Sequence, residues 1–224
     1  MKLIYVVTEG QTETNFVNKI LNPYFCGSDK FLIPTTVLTK ADEQKGRMYK
    51  GGLVDYAKAR LTIRNNLAYT NKQNVYVTTM FDLYALPRDT PGMIEADKIS
   101  DPYEKVAVLE KSMLNFEKEL RKPVFHPYIQ LHEFEALLFS NLDLLAIEYF
   151  EYDIQPLKDC LEKKKNPELI NDGRETAPSK RILKCIPDYD KVTSGISVLE
   201  KIGLPALCCK CKHFSEWIDW IQEL

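Results

Sequence analysis

The sequence predicts an α/β fold, a mainly parallel sheet flanked by helices, with a helical C-terminal extension. Three observations carry this. Short apolar runs without alternation, the pattern of strands covered on both faces, recur over residues 1–150 and are separated by stretches of helical period. Glycine and proline fall between them, at Gly10, Gly51-Gly52, Pro87 and Pro91. Past a weak boundary near Tyr149–Ile154 the helical patterns follow one another. Strand–helix alternation followed by helices reads as a sheet domain over 1–150, with a mostly helical extension over 151–224 packed on it, the two forming one or two domains.

The elements follow in order. Lys2–Thr8 is a buried central strand, because Leu3 to Val7 are apolar, aromatic or β-branched throughout. Gly10 ends it, and residues 12–25 form a helix with Thr12 as N-cap, Phe16, Val17, Ile20 and Leu21 inward, and Pro23 near its end. Phe31–Thr39 is a second strand interrupted at Pro34. Lys40–Gly52 is a polar loop, expected to be mobile without a ligand. Leu53–Leu67 is helical with Leu53, Tyr56, Ala57, Leu61 and Arg64 on one stripe. Asn74–Phe81 is a third buried strand stopping at Asp82. Pro102–Leu120 is a long helix with Val106, Leu109, Met113, Phe116 and Leu120 inward. Val124–Leu131 is a fourth strand, and a short helix follows His132–Glu135. Leu157–Lys165, Ala177–Cys185, Asp188–Leu199 and Phe214–Leu224 are helices, and Ile202–Leu207 is a candidate edge strand.

With 224 residues, 45% of them apolar and 28% charged, the chain can build a full core and is not disordered. A net charge of −2 excludes coating of nucleic acid by bulk charge, but not a local basic groove. Residues 40–64 carry seven bases against three acids, which reads either as a solvated helix face or as a confined anionic site. The start MKLIYVVTEG lacks the h-region and cleavage site of a signal peptide, and charged or polar residues break every long apolar stretch. A cytoplasmic protein with no membrane contact is expected. Six cysteines without an export signal argue against a disulfide framework. The cluster CCKCKH (208–213) lacks the second ligand pair of a tetrahedral zinc site, so buried, reduced cysteines are expected there.

In open parallel sheets ligands sit beyond the carboxyl ends of the strands, and three of these strands end in acids: Glu9, Asp82, and the pair Glu133 and Glu135. Separate strand-end carboxylates often cap helices. Several that converge supply the hard oxygen ligands that hold Mg²⁺ or Mn²⁺ beside phosphate.

The run VTEGQTE (7–13), an apolar strand followed by Glu9-Gly10 with Glu13 four positions on, resembles the first motif of the TOPRIM domain of topoisomerases, bacterial-type primases and OLD-family nucleases. The blocks at 78–92, 131–143, 166–182 and 203–218 resemble the successive motifs of the TOPRIM-like family catalogued as domain of unknown function 4276. This resemblance spans Tyr5 to about Trp217. It implies a metal-dependent nuclease acting on DNA or RNA, with an ATPase partner encoded nearby and a role in defence against phage. Glu9 would be general base or metal ligand, Asp82 the principal ligand, Glu133 and Glu135 the completing ligands, and Glu13 a further ligand or a support to them. One departure stands out: TOPRIM enzymes usually place Asp-x-Asp at the third strand, and Asp82-Leu83-Tyr84 lacks the second acid. Glu133 and Glu135 alternate sides if extended and diverge by about 200° if helical, so only one of them is a direct ligand unless the strand ends between them.

Two basic segments are candidates for phosphate contact. GRMYKGG (46–52) offers Arg47 and Lys50 beside glycines; GRETAPSKRI (173–182) offers Arg174, Lys180 and Arg181 near a helix start. An ordinary glycine loop and a capped helix with solvated bases are the competing readings. His132 adjoins the acids, His213 packs or caps the last helix, Tyr84 and Arg88 follow Asp82, and Trp217 and Trp220 belong to the core or a partner surface. Two further functions stay open: a non-catalytic module binding an ATPase or nucleic acid, and nucleotidyl transfer of the primase kind.

Overall fold

The computed structural model describes residues 1–37, 41–42, 47–48, 53, 55–68, 74–116, 124–171 and 173–224, without the side chains of 41–42, 47–48 and 174. The chain divides into two compact units, Met1–Ile129 and Gln130–Leu224, so the division falls about twenty residues before the weak boundary near Tyr149–Ile154.

The first unit runs β1 (Lys2–Thr8), α1 (Gln11–Phe16), a π-helical turn (Val17–Leu21), α2 (Asn22–Tyr24), β2 (Lys30–Thr36), β3 (Ala41–Asp42), β4 (Arg47–Met48), α3 (Tyr56–Leu67) and β5 (Val75–Asp82). A 3₁₀ turn (Leu83–Ala85), α4 (Met93–Ala96), α5 (Pro102–Phe116), β6 (Phe125–His126) and β7 (Ile129–Gln130) complete it. The main sheet has the order β2-β1-β5-β6, with β7 also on β5; β1 pairs in parallel with β2 and β5, and β5 with β6. The expected mainly parallel sheet flanked by helices is therefore present. The unbroken apolar run of β1 suits its central place: Ile4, Val6 and Val7 are fully buried.

Local differences from the sequence reading have physical causes. Pro34 does not interrupt β2, because among the described residues β2 lies at the sheet edge with β1 as its neighbour. The fourth strand is split at Pro127, which cannot donate to the ladder. Thr79 takes over there: its hydroxyl donates to the Tyr128 carbonyl at 2.8 Å and accepts the Tyr128 N–H at 2.9 Å. The buried stripe of α3 is Tyr56, Ala59, Ile63 and Leu67, rotated from the one read in sequence, and Leu61 is 61% exposed. Val106, Leu109 and Met113 of α5 are buried as expected, whereas Phe116 is half exposed and lies 4.3 Å from the Arg60 guanidinium.

In the second unit a 3₁₀ run (Phe134–Ser140) is followed by α6 (Leu142–Glu148), α7 (Gln155–Lys164) and short 3₁₀ turns at Pro167–Leu169 and Arg174–Thr176. Then come α8 (Pro178–Cys185), a π-helical turn (Lys191–Gly195), α9 (Ile196–Ile202), α10 (Leu204–Lys210) and α11 (Lys212–Glu223). The expected edge strand at Ile202–Leu207 is instead the junction of two helices. Gly203 has φ +79°, which ends α9, and Pro205 starts α10. Phe214, Trp217, Ile218 and Ile221 line the buried face of α11, which places Trp217 in the core. Among the described residues no single helix is long and apolar enough to cross a membrane.

Candidate active site

Adjacent central strands deliver two acids to one end of the sheet. β1 and β5 run parallel with Thr8 beside Met80, so the chain leaves both strands at the same edge. Glu9 follows β1, Asp82 ends β5, and the Glu9 carboxylate accepts the Asp82 N–H at 2.6 Å. Glu9 is 8% exposed and Glu13 5%, while Asp82 is half-buried.

The turn carrying Glu9 is pinned by side chains. Gly10 is the N-cap of α1, in place of the expected Thr12, and Glu13, in the first turn, reaches back to accept the Gly10 N–H at 3.0 Å. The Thr14 hydroxyl donates to the Gly10 carbonyl at 2.9 Å and lies 3.1 Å from both the Thr8 and Thr36 hydroxyls. Three threonines thus tie β1, α1 and β2 together at the strand ends. Gly10 itself is extended, with φ −162°, and an added Cβ would only touch the Glu13 carboxylate at 3.6 Å. Turn geometry therefore does not require glycine there.

The remaining predicted acids lie in the second unit, each with a protein partner. Glu133 accepts the Ser179 N–H at 3.0 Å, in the first turn of α8, whose N-cap Ala177 has no side-chain acceptor. Glu135 is buried and lies 3.6 Å from the Lys191 ammonium. His132, at φ 61°, lies 3.4 Å from the Asn171 amide. A third glutamate, not singled out in sequence, does the same work as Glu133: fully buried Glu168 accepts the His213 and Phe214 N–H groups at 3.1 and 2.9 Å, opening α11. The signal for both lies in the helices they serve. Ala177 and Cys211 stand where Ser, Thr, Asp or Asn would cap, so the first-turn N–H groups need an acceptor from elsewhere. His213 sits in the first turn of α11, as expected of a helix-end residue.

Of the predicted phosphate contacts, Arg181 donates through Nε to the Thr176 carbonyl at 2.7 Å and Lys180 is exposed. The side chains of Arg47 and Arg174, and Lys50 with most of the Lys40–Gly52 loop, lie outside the described residues. The cysteines are all free. Burial pushes the Cys208 thiol up to about 11 and the Cys211 thiol to about 12, which leaves both protonated at neutral pH.

Among the described residues no group of three or more His, Cys, Asp or Glu is set to hold a metal ion. Among those residues no all-protein cage of the zinc or calcium kind is formed. The paired Glu9 and Asp82 fit the sparser demand of Mg²⁺ or Mn²⁺, which takes one or two carboxylates and completes its shell with water and phosphate oxygens.

The profile of one protein family, described as a domain of unknown function (DUF4276), matches residues 8–222. No curated protein and no solved structure matches the chain.

Proposed function

The chain belongs to the DUF4276 family, and on that premise we propose that it is a metal-dependent phosphodiesterase acting on nucleic acid, a nuclease of TOPRIM/OLD type. One observation carries the reading: Glu9 and Asp82, 73 residues apart, meet at the carboxyl ends of neighbouring parallel strands with a 2.6 Å hydrogen bond between carboxylate and backbone.

Glu9 and Asp82 are the residues that would hold Mg²⁺ or Mn²⁺, with Glu13 beside them; such an ion, when bound, offsets phosphate charge and lowers the pKa of its water. The chain's own contribution is order. The Asp82 N–H fixes one Glu9 oxygen, and the Glu13 capping contact and the threonine cluster fix the turn, so the Glu9 carboxylate is held in place before an ion arrives. Glu9 is also the general base closest to hand for a water attacking a phosphate at this edge. Resemblance of the five blocks to the DUF4276 family supports two finer expectations, an ATPase partner encoded nearby and a role in defence against phage; a cytoplasmic location, expected from the sequence's composition and hydropathy, is part of the same proposal.

A second reading, a non-catalytic module that binds an ATPase or nucleic acid, draws on the capping work of Glu13 and Glu133, which accounts for two of the acids without any metal. One experiment separates the two. The purified chain, alone and with its neighbouring ATPase, is incubated with single- and double-stranded DNA and RNA in Mg²⁺ or Mn²⁺. Cleavage by the wild type and none by Asp82→Asn supports the nuclease; equal cleavage by both, or none by the wild type in any arm, overturns it.

A further inference from the structure

A cavity of about 310 Å³ has in its wall Leu83, the residue that follows Asp82. The 3₁₀ turn Leu83–Ala85 starts there and supplies Tyr84, 42% exposed. Leu86 and Met93 add apolar wall, Arg88 and Asp97 form an ion pair at 2.5 Å on its rim, and Lys105, in the second turn of α5, closes it. Among the described residues the Lys105 ammonium has no ion-pair partner, whereas the Arg88 charge is met by Asp97.

The lining is about half polar: Leu83, Leu86, Met93 and the Tyr84 ring form its apolar part, and Arg88, Asp97 and Lys105 add charged groups that can fix a ligand's orientation. Its volume, at the low end of small-molecule sites, suits one planar heterocycle and not a folded peptide or a duplex. The wall is also held in place. Gly92 opens α4 with φ +85°, and a Cβ there would fall inside contact distance of the Ser112 side chain on α5, so the two helices bounding the cavity meet at a glycine.

We infer that this cavity binds one unpaired nucleotide of a single strand, its base stacked on Tyr84 and its phosphate on Lys105, next to Asp82. An aromatic face tolerates every base, and an unpartnered ammonium beside it takes the backbone charge, which is the combination single-strand binding uses. Duplex bases are already stacked on each other and cannot enter. The inference rests on the nuclease reading only for its purpose, since it places the strand beside the two carboxylates; binding itself needs no metal.

The test is therefore run in EDTA. Fluorescence anisotropy measures the full chain against labelled oligo(dT) and oligo(U) of about 12 nucleotides and a DNA duplex of equal length. Single strands are expected to bind more tightly than the duplex. Tyr84→Ala weakens single-strand binding roughly ten-fold while Tyr84→Phe retains it, and Lys105→Ala lowers the salt slope by about 0.7 while Lys105→Arg restores it. The oligo(dT) and oligo(U) arms show which sugar is preferred. All four substitutions lie at exposed or half-exposed positions, and a thermal melt confirms that each variant is folded. No wild-type binding, duplex binding as tight as single-strand binding, or Tyr84→Ala and Lys105→Ala behaving as wild type overturns the inference. Its failure is distinct from failure of the nuclease reading, which is judged by metal-dependent cleavage and its loss in Asp82→Asn.

Discussion

Replacing Glu168 by Ala tests whether the acids of the second unit are structural. Glu168 is fully buried, and its two oxygens accept the second and third N–H groups of α11 at 3.1 and 2.9 Å. Cys211, the N-cap, offers no side-chain acceptor, and Phe214 is fully buried, so its N–H has Glu168 as its acceptor away from solvent. Truncation orphans both donors at about 1–3 kcal/mol each, and removes a negative group from the positive end of a helix, worth about 0.3–1 kcal/mol more. The expected loss is about 2–7 kcal/mol, which lowers the melting temperature by roughly 10 °C or more at this chain size. Glu168→Gln, which turns one acceptor into a donor facing an N–H, also destabilises. The assay is a thermal melt in metal-free buffer, with single-strand binding as a second readout. A Glu168→Ala protein that melts within about 2 °C of wild type refutes the capping argument.

Other outcomes follow from the same geometry. Gly92→Ala, at φ +85° and against Ser112, lowers the urea midpoint by the equivalent of about 1–3 kcal/mol; an unchanged midpoint contradicts the close approach of α4 and α5. With a thiol-specific reagent near pH 7.5, exposed Cys26 and Cys209 react promptly, and Cys208 and Cys211, raised by burial to about 11 and 12, react slowly until the chain unfolds; mass spectrometry of the labelled peptides decides it. Asp29 is held at about 2 by hydrogen bonds from Lys2 and Lys30. A depressed folded pKa contributes stability that is present above the unfolded value of 3.8 and lost as pH falls through about 2. The stability gap between wild type and Asp29→Asn therefore exists at pH 5 and closes toward pH 2; a gap that widens on acidification contradicts the assignment. Because this pair is solvent-exposed, the gap is small.

The sheet is legible in the sequence because its central strands are buried on both faces, so residues 3–7 and 75–81 carry apolar or β-branched side chains without a break. Meeting of Glu9 and Asp82 follows from the same fact, since parallel neighbours end together. Element ends and helix faces were harder to read. Thr12 looks like a cap by type, but the chain turns two residues earlier, and Asn22, which reads as an ordinary helix residue, spends both ends of its amide on the Leu32 backbone at 2.9 and 3.0 Å. The acids diverge most. Glu133 and Glu168 each serve a helix start 46 residues or so away, and Asp89 does the same for Tyr56 at 3.0 Å. A local pattern cannot show a cap supplied from a distant segment. It can show the vacancy, as at Ala177 and Cys211, and that is the signal by which a structural carboxylate is told from a candidate ligand.

The paired carboxylates are judged most directly by Mn²⁺ binding to wild type, Glu9→Gln and Asp82→Asn, read by isothermal titration calorimetry and by thermal melts with and without the ion. If Glu9 and Asp82 hold the ion, wild type binds Mn²⁺ and melts higher in its presence, because the ion binds only the native state. Both variants then lose the heat of binding and the upward shift, while melting near wild type in metal-free buffer. Wild type that binds no Mn²⁺, or variants that bind and melt with Mn²⁺ as wild type does, would contradict the assignment of this sheet edge as a metal-dependent site.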